Sequence, residues 1–202
     1  MIIIRLHVHE HLDQVAGMVL VDTGHEGENL RLPEAYQQAK ERFDRQSISA
    51  LRVPRVLSAI GILAGCPEGY PSGVFPALPP GTEETYQALL AIDSSFFDTA
   101  TQEYATFEES TAYMRAAQLD TLGDIPLIVL TAGQIEFCET LRVSAEIAEE
   151  TLAVRREIQA KLAALSPNGK QVIPKESGHL VRIDQPELMV DAISEVVGAA
   201  QR

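Results

Sequence analysis

Cysteine is scarce in this sequence of 202 residues, which contains only Cys66 and Cys138. The two lie far apart and match no metal-ligand spacing, so we expect reduced thiols and no disulfide framework. Long apolar runs are also missing. No stretch approaches the roughly 20 apolar residues of a membrane span, and the three isoleucines after Met1 are too few for a signal-peptide core. These absences predict a soluble, cytoplasmic protein with no membrane partner.

Basic residues are outnumbered by acidic ones, 16 against 29, which gives a formal net charge of −13. Nucleic-acid binding needs a basic surface that neutralises phosphates, so this balance excludes nucleic acid as an expected partner. It also disfavours anionic membrane surfaces. No glycine-rich phosphate loop follows any predicted strand, which argues against an unrelated nucleotide-binding domain.

Three short apolar runs are present, and each is bounded by turn-forming residues. Such runs are typical of strands buried on both faces of a parallel sheet. Helical periodicity follows the second and third runs, and the first follows a segment resembling the tail of a helix. The predicted strands lie within 15–22, 126–131 and 170–174, and the helices within 2–12, 139–165 and 186–200. This alternation predicts the α/β class, a parallel sheet flanked by helices with right-handed crossovers. In the last helix we expect Leu188, Val190, Ile193, Val196 and Val197 to face the core.

About 100 residues separate the first two predicted strands, far more than one crossover needs. Residues 33–65 have the pattern of two helices, and 82–119 return to helical composition after a proline-rich loop. A helical insertion after a strand suggests a lid over a site at the carboxyl edge of the sheet. We therefore assign 1–32 and 116–202 to a core and 33–115 to a helical lid, or cap.

One histidine is well placed for chemistry, because His179 follows the third predicted strand in the loop Ser177-Gly178-His179. Histidine can take and return a proton near neutral pH, so such a position suits a general base. The alternative is a structural loop histidine that caps the final helix.

The end of the chain resembles the end of α/β-hydrolases, which carry a Gly-His pair followed by an amphipathic helix. Gly178-His179 and Pro186-Glu187 match that pattern. The segment 15–22 is similar to the family's strand after the nucleophile helix, and 124–133 to the next strand, which follows the lid. The segments occur in the family's order. The resemblance implies an incomplete α/β-hydrolase fold comprising the last three strands and the lid.

In function, the resemblance implies esterase-like hydrolysis of an ester or a similar small-molecule substrate, with His179 as the base. The family's chemistry is done by side chains, so no cofactor is expected. The acid that orients the base has two candidates. Glu136 lies after the strand 126–131, at the commoner position for the acid. Asp22 follows the strand before the lid, where some members of the family place it. As structural alternatives, Asp22 could cap a turn and Glu136 could be a solvated residue at a helix start.

The nucleophile elbow of serine hydrolases, G-x-S-x-G, does not occur in this sequence. The nearest approach, around Ser72, has its serine one position too late and lies in the predicted lid. The sequence therefore predicts a truncated hydrolase that lacks the nucleophile and oxyanion hole and is inactive alone. The alternative is a non-catalytic binding or interaction module derived from the fold. Loss of the neighbouring strand would leave the edge 18–22 open, so we also expect self-association through that edge.

The remaining histidines carry weaker predictions. His25, three residues beyond Asp22, could face the pocket or the solvent. His7, His9 and His11 alternate by two within a predicted helix, where that spacing splays side chains around the axis. No metal site is expected from this alternation.

Overall fold

The computed structural model describes residues 2–62, 82, 94–135 and 141–201. Helix α1 is followed by one turn of 3-10 helix, and the strands then alternate with helices. The helices are α1 (Ile2–Glu10), α2 (Glu34–Ala59), α3 (Ser95–Ala117), α4 (Ala145–Ala163), α5 (Val181–Asp184) and α6 (Pro186–Ala200), and the strands are β1 (Met18–Val21), β2 (Leu127–Leu130) and β3 (Gly169–Val172). Each described strand lies inside or overlaps its predicted segment, so the three strand predictions are confirmed.

The strands form a parallel sheet in the order β1-β2-β3. Val21 is level with Leu130, and Leu130 with Val172, so all three strands end at the same edge. The α/β class predicted from the alternation of strands and helices is confirmed. Among the described residues β1 pairs only with β2, which leaves its other side as an edge of the sheet.

The core lies on both faces of the sheet, because successive side chains of a strand point to opposite faces. On one face Leu127 and Val129 pack with Val8 of α1 and Leu162 of α4. On the other face Ile128 and Leu130 pack against Val181 of α5 and against Ala192 and Val196 of α6. All four residues of β2 are buried, as expected for a central strand with helices on both sides.

Two expectations about the helices are wrong. One helix, α2, occupies most of the segment predicted as two and continues through Pro54, whose side chain is buried. In α6 the predicted core residues Val190, Ile193 and Val197 are exposed. Of the other predicted core residues, Val196 is buried and Leu188 packs partly buried against the same cluster, and Ala192, which was not predicted, is buried beside them. The apolar composition of α6 exceeds what one face can bury, so periodicity alone did not decide which face turns inward.

The chain divides into two compact units. One contains Met1–Lys40 and Glu108–Arg202, and the other is Glu41–Phe107. The first unit contains the whole sheet. In the second, Phe97 is almost fully buried, and Arg55 forms an ion pair with Asp98. Within the described ranges, no helix combines the length and apolarity needed to cross a bilayer.

Candidate functional site

Asp22 and His179 meet at the carboxyl edge of the sheet, although 157 positions separate them in the chain. Asp22 directly follows β1, and its N–H donates to the carbonyl of Leu130 over 2.7 Å, which continues the ladder by one residue. Its φ of 38° lies in the left-handed region, which Asp tolerates better than most residues. His179 lies in the loop after β3. Parallel strands end at one edge, so both residues arrive at the same place.

The imidazole Nδ1 lies 2.8 Å from Asp22 Oδ2. An ionised carboxylate only accepts hydrogen bonds, so Nδ1 carries the proton and donates it. The Asp22 side chain is 1% exposed and that of His179 is 46% exposed. His179 makes no other hydrogen bond within the described ranges, so Nε2 is an open acceptor on the exposed side of the ring. This is the orientation a general base requires.

Three further donors hold the buried carboxylate. Ala132 N–H and Gln159 Nε2 donate to Asp22 Oδ1 over 3.1 and 3.2 Å. Arg155 Nη2 donates to Oδ2 over 3.3 Å. Burial raises the pKa of Asp22, but the hydrogen bond from His179, the charge of Arg155 and the Ala132 N–H together outweigh it, and the pKa lies below its ordinary value. Asp22 is therefore ionised at neutral pH.

Helix α4 supplies two of these donors from one face, because Arg155 and Gln159 are four residues apart. Arg155 also lies 3.2 Å from Glu28 Oε1 through its Nε, so its charge is shared between two carboxylates. Gln159 donates a second hydrogen bond to the carbonyl of Thr23 over 2.9 Å. None of these roles was predicted. The spacing of Arg155 and Gln159 was visible in the sequence, but nothing local linked them to Asp22.

A separate set of hydrogen bonds holds the loop that carries His179. Asp184 Oδ2 accepts from Ser177 Oγ and from Gly178 N–H, over 3.1 and 3.0 Å. The N–H of Gly133 donates to the carbonyl of Ser177 over 2.9 Å. A Cβ on Gly133 would lie 2.0 Å from the carbonyl oxygen of Pro174. Only glycine therefore lets the loop after β2 approach the loop of His179 so closely.

His25 lies in the turn after Asp22, with its side chain 22% exposed. Its Nδ1 accepts the N–H of Gly27 over 2.8 Å, and Nε2 lies 3.7 Å from Glu26 Oε1. Burial lowers the pKa of His25, and the negative charge of Glu26 only partly opposes this. With Nδ1 engaged in the turn, His25 has a local structural role and is neither directed to open solvent nor bonded to the Asp22–His179 pair.

The other predicted site positions can also be placed. Glu136, the second candidate for the acid, lies outside the described residues, as do both cysteines and Ser72. In the part of the chain that is described, no group of three or more histidine, cysteine or acidic side chains could together hold a metal ion. A cavity of about 820 Å³ lies at the opposite edge of the sheet, between residues such as Pro126, Asn168 and Lys170. The Asp22–His179 pair does not line it.

Comparisons with protein-family models, curated proteins and solved structures gave no significant match.

Proposed function

We propose that Asp22 and His179 are the acid and base of a hydrolase of the α/β-hydrolase type, acting on an ester or a similar small molecule. The observation that carries the proposal is the 2.8 Å hydrogen bond between a buried carboxylate and an exposed imidazole at the carboxyl edge of a parallel sheet. In this fold the acid and base lie at that edge, in loops after different strands. Asp22 takes the role of acid here, and no role is needed for Glu136.

The chemistry of the pair follows from its protonation. Nδ1–H is directed at Asp22, so the lone pair of Nε2 can accept the proton of an attacking hydroxyl or thiol. The imidazolium that forms is stabilised by the Asp22 carboxylate, and Nε2 then returns the proton to the leaving group. The low pKa of Asp22 keeps its negative charge available throughout.

We infer that the nucleophile comes from outside these 202 residues, since the sequence contains no G-x-S-x-G elbow. The open side of β1 is a suitable place for it to enter. The N–H groups of Met18 and Asp22 point at β2. Successive residues of a strand direct their N–H groups to alternate sides, so Val19 and Val21 present theirs to the open side. A parallel strand added there would end beside Asp22 and deliver its following turn to the same edge. The source would be a preceding segment or a second polypeptide.

Ester hydrolysis tests this proposal directly. The 202-residue chain is assayed with p-nitrophenyl esters beside a longer chain that includes the in-frame coding sequence upstream of Met1. We expect protein-dependent turnover only in the longer chain. Asp22→Asn should reduce kcat on the order of 10⁴-fold, because it gives the histidine the wrong tautomer. His179→Ala should abolish turnover above background.

Two outcomes would contradict the proposal. The longer chain could be active and remain so without His179, or it could contain no nucleophile elbow and hydrolyse nothing. The second outcome would favour the alternative, a non-catalytic interaction module. Turnover by the 202-residue chain that depends on His179 would refute the inference that the nucleophile lies elsewhere.

The open side of β1 also leads us to propose self-association when no added strand covers it. Unpaired N–H and C=O groups on an apolar strand are a template for pairing with another chain. Light scattering of the 202-residue chain should show oligomers at moderate protein concentration. A monodisperse monomer would argue against edge pairing.

A further inference from the structure

Two imidazole rings lie side by side at the C-terminal end of helix α1, a feature that the Asp22–His179 chemistry does not use. The ring centroids of His7 and His11 are 4.6 Å apart, with their planes tilted by 47°. The N–H of His11 donates to the carbonyls of His7 and Val8 over 3.0 and 3.2 Å, so the hydrogen bonding of the helix reaches His11, one residue beyond the end of α1. Residues four apart on a helix share one face. His7 and His11 are four apart and therefore lie together, whereas His9, two residues from each, points elsewhere.

The nitrogens of this pair are available for a ligand. The His7 side chain is exposed and makes no hydrogen bond within the described ranges, and His11 is partly buried. His11 has one weak contact, 3.5 Å from its Nδ1 to Gln14 Nε2, which leaves Nε2 open. His9 differs, because its Nδ1 lies 3.3 Å from the carbonyl oxygen of Thr121. The end of α1 therefore presents the ring pair of His7 and His11, whereas the ring of His9 is engaged with the backbone of Thr121.

We propose that His7 and His11 form a two-histidine chelate for a divalent transition-metal ion. Neutral imidazole is a preferred ligand of zinc, copper and nickel ions, with metal–nitrogen distances of about 2.0–2.1 Å for zinc. Two rings on adjacent turns can converge on one ion by small side-chain rotations. No third side chain in the described part of the chain joins the pair, so water completes the coordination. The sequence predicted no metal site, because three histidines that alternate by two on a helix, His7, His9 and His11, cannot share one face. The proposed chelate uses only His7 and His11.

Two consequences distinguish a chelate from scattered histidine binding. Because the two ligands are only four residues apart in one chain, binding to the second ring is intramolecular and gains from effective concentration. Removing either ring should therefore weaken binding on the order of a hundredfold. An ion that binds only the folded helix should also raise the midpoint of thermal unfolding.

Isothermal titration calorimetry of the full 202-residue chain with Cu²⁺, Ni²⁺ and Zn²⁺ tests the proposal. We expect one equivalent to bind, with Cu²⁺ tightest. His7→Ala and His11→Ala should each lose affinity on the order of a hundredfold, and the matched control His9→Ala should not change it. The Cu²⁺ complex should show nitrogen hyperfine structure from two imidazoles in electron paramagnetic resonance. Far-UV circular dichroism checks that each variant is folded.

The proposal is overturned if the control loses as much affinity as the pair variants, or if removal of both His7 and His11 leaves the stoichiometric binding intact. Conservative His7→Asn and His11→Asn variants guard against loss of helix α1, because they keep a polar side chain at each position. If both fold and bind the ions as the unsubstituted chain does, no chelate exists. These results are independent of ester hydrolysis.

Discussion

Replacement of Asp22 and replacement of His179 should reduce stability by very different amounts, although the two side chains share a hydrogen bond of 2.8 Å. The reason lies in their surroundings. Asp22 is 1% exposed and accepts hydrogen bonds from three groups besides the imidazole. His179 is 46% exposed and, among the residues that the structure describes, bonds only to Asp22.

Asp22→Ala removes the carboxylate that accepts from the Gln159 side-chain amide, the Ala132 N–H and the Arg155 guanidinium. Breaking a buried charged cluster by removing one partner costs about 3–5 kcal/mol. The left-handed backbone at this position adds to the cost, because alanine tolerates it less well than aspartate. Asp22→Asn keeps the shape, the backbone preference and one acceptor oxygen, so its cost should be intermediate.

His179→Ala leaves Asp22 with its three other donors, including the Arg155 guanidinium. One hydrogen bond at a half-exposed ring is lost, which should cost only about 1 kcal/mol. The free energy of unfolding is measured in urea at pH 7, with the slope m checked for each variant. The expected order of destabilisation is His179→Ala, then Asp22→Asn, then Asp22→Ala.

This order separates a functional histidine from a structural one. If His179→Ala destabilised the chain as much as Asp22→Ala, the imidazole would be a component of the fold and its role as a proton shuttle would lose support. Equally small effects from both would show that the carboxylate is not held as the structure describes.

Three further outcomes are expected. Gly133→Ala should destabilise the chain by about 1–3 kcal/mol in urea unfolding, because its Cβ would meet the carbonyl of Pro174 at 2.0 Å; unchanged stability would refute that close approach. Burial lowers the pKa of folded His25 from 6.5, so its contribution to stability is full above pH 6.5 and is lost as pH falls through the folded pKa. His25→Asn keeps an acceptor for the turn and should remove this pH-dependent loss of stability. If the free energy of unfolding fell equally below pH 6.5 in the variant and in the unsubstituted chain, His25 would not be its cause. The pKa of Asp22 is lowered from 3.8, so its contribution is present above about pH 4 and is lost as pH falls through the folded pKa; acid titrations of unfolding should show a shallower loss in Asp22→Asn.

The sequence alone determined the elements whose signal is local. The runs in 15–22 and 126–131 are apolar over four or more consecutive residues and contain several β-branched residues, which is enough to predict strands buried in a parallel sheet. His179 was identifiable as a candidate base because its glycine-flanked loop follows a predicted strand. Asp22 and Glu136 were both candidates for the acid, because each follows a predicted strand. The local sequence does not tell how far the loop of each lies from the loop of His179.

Tertiary structure decided which groups meet. The parallel register brings Asp22 to His179 across 157 positions, and the packing of α4 on the sheet brings Arg155 and Gln159 to the same carboxylate. It also decided which face of α6 is buried, and that helix α2 continues through Pro54 as one helix and does not divide into two. Such outcomes depend on the packing of segments that are remote in the chain, whereas periodicity and turn residues report only on neighbours within a few positions.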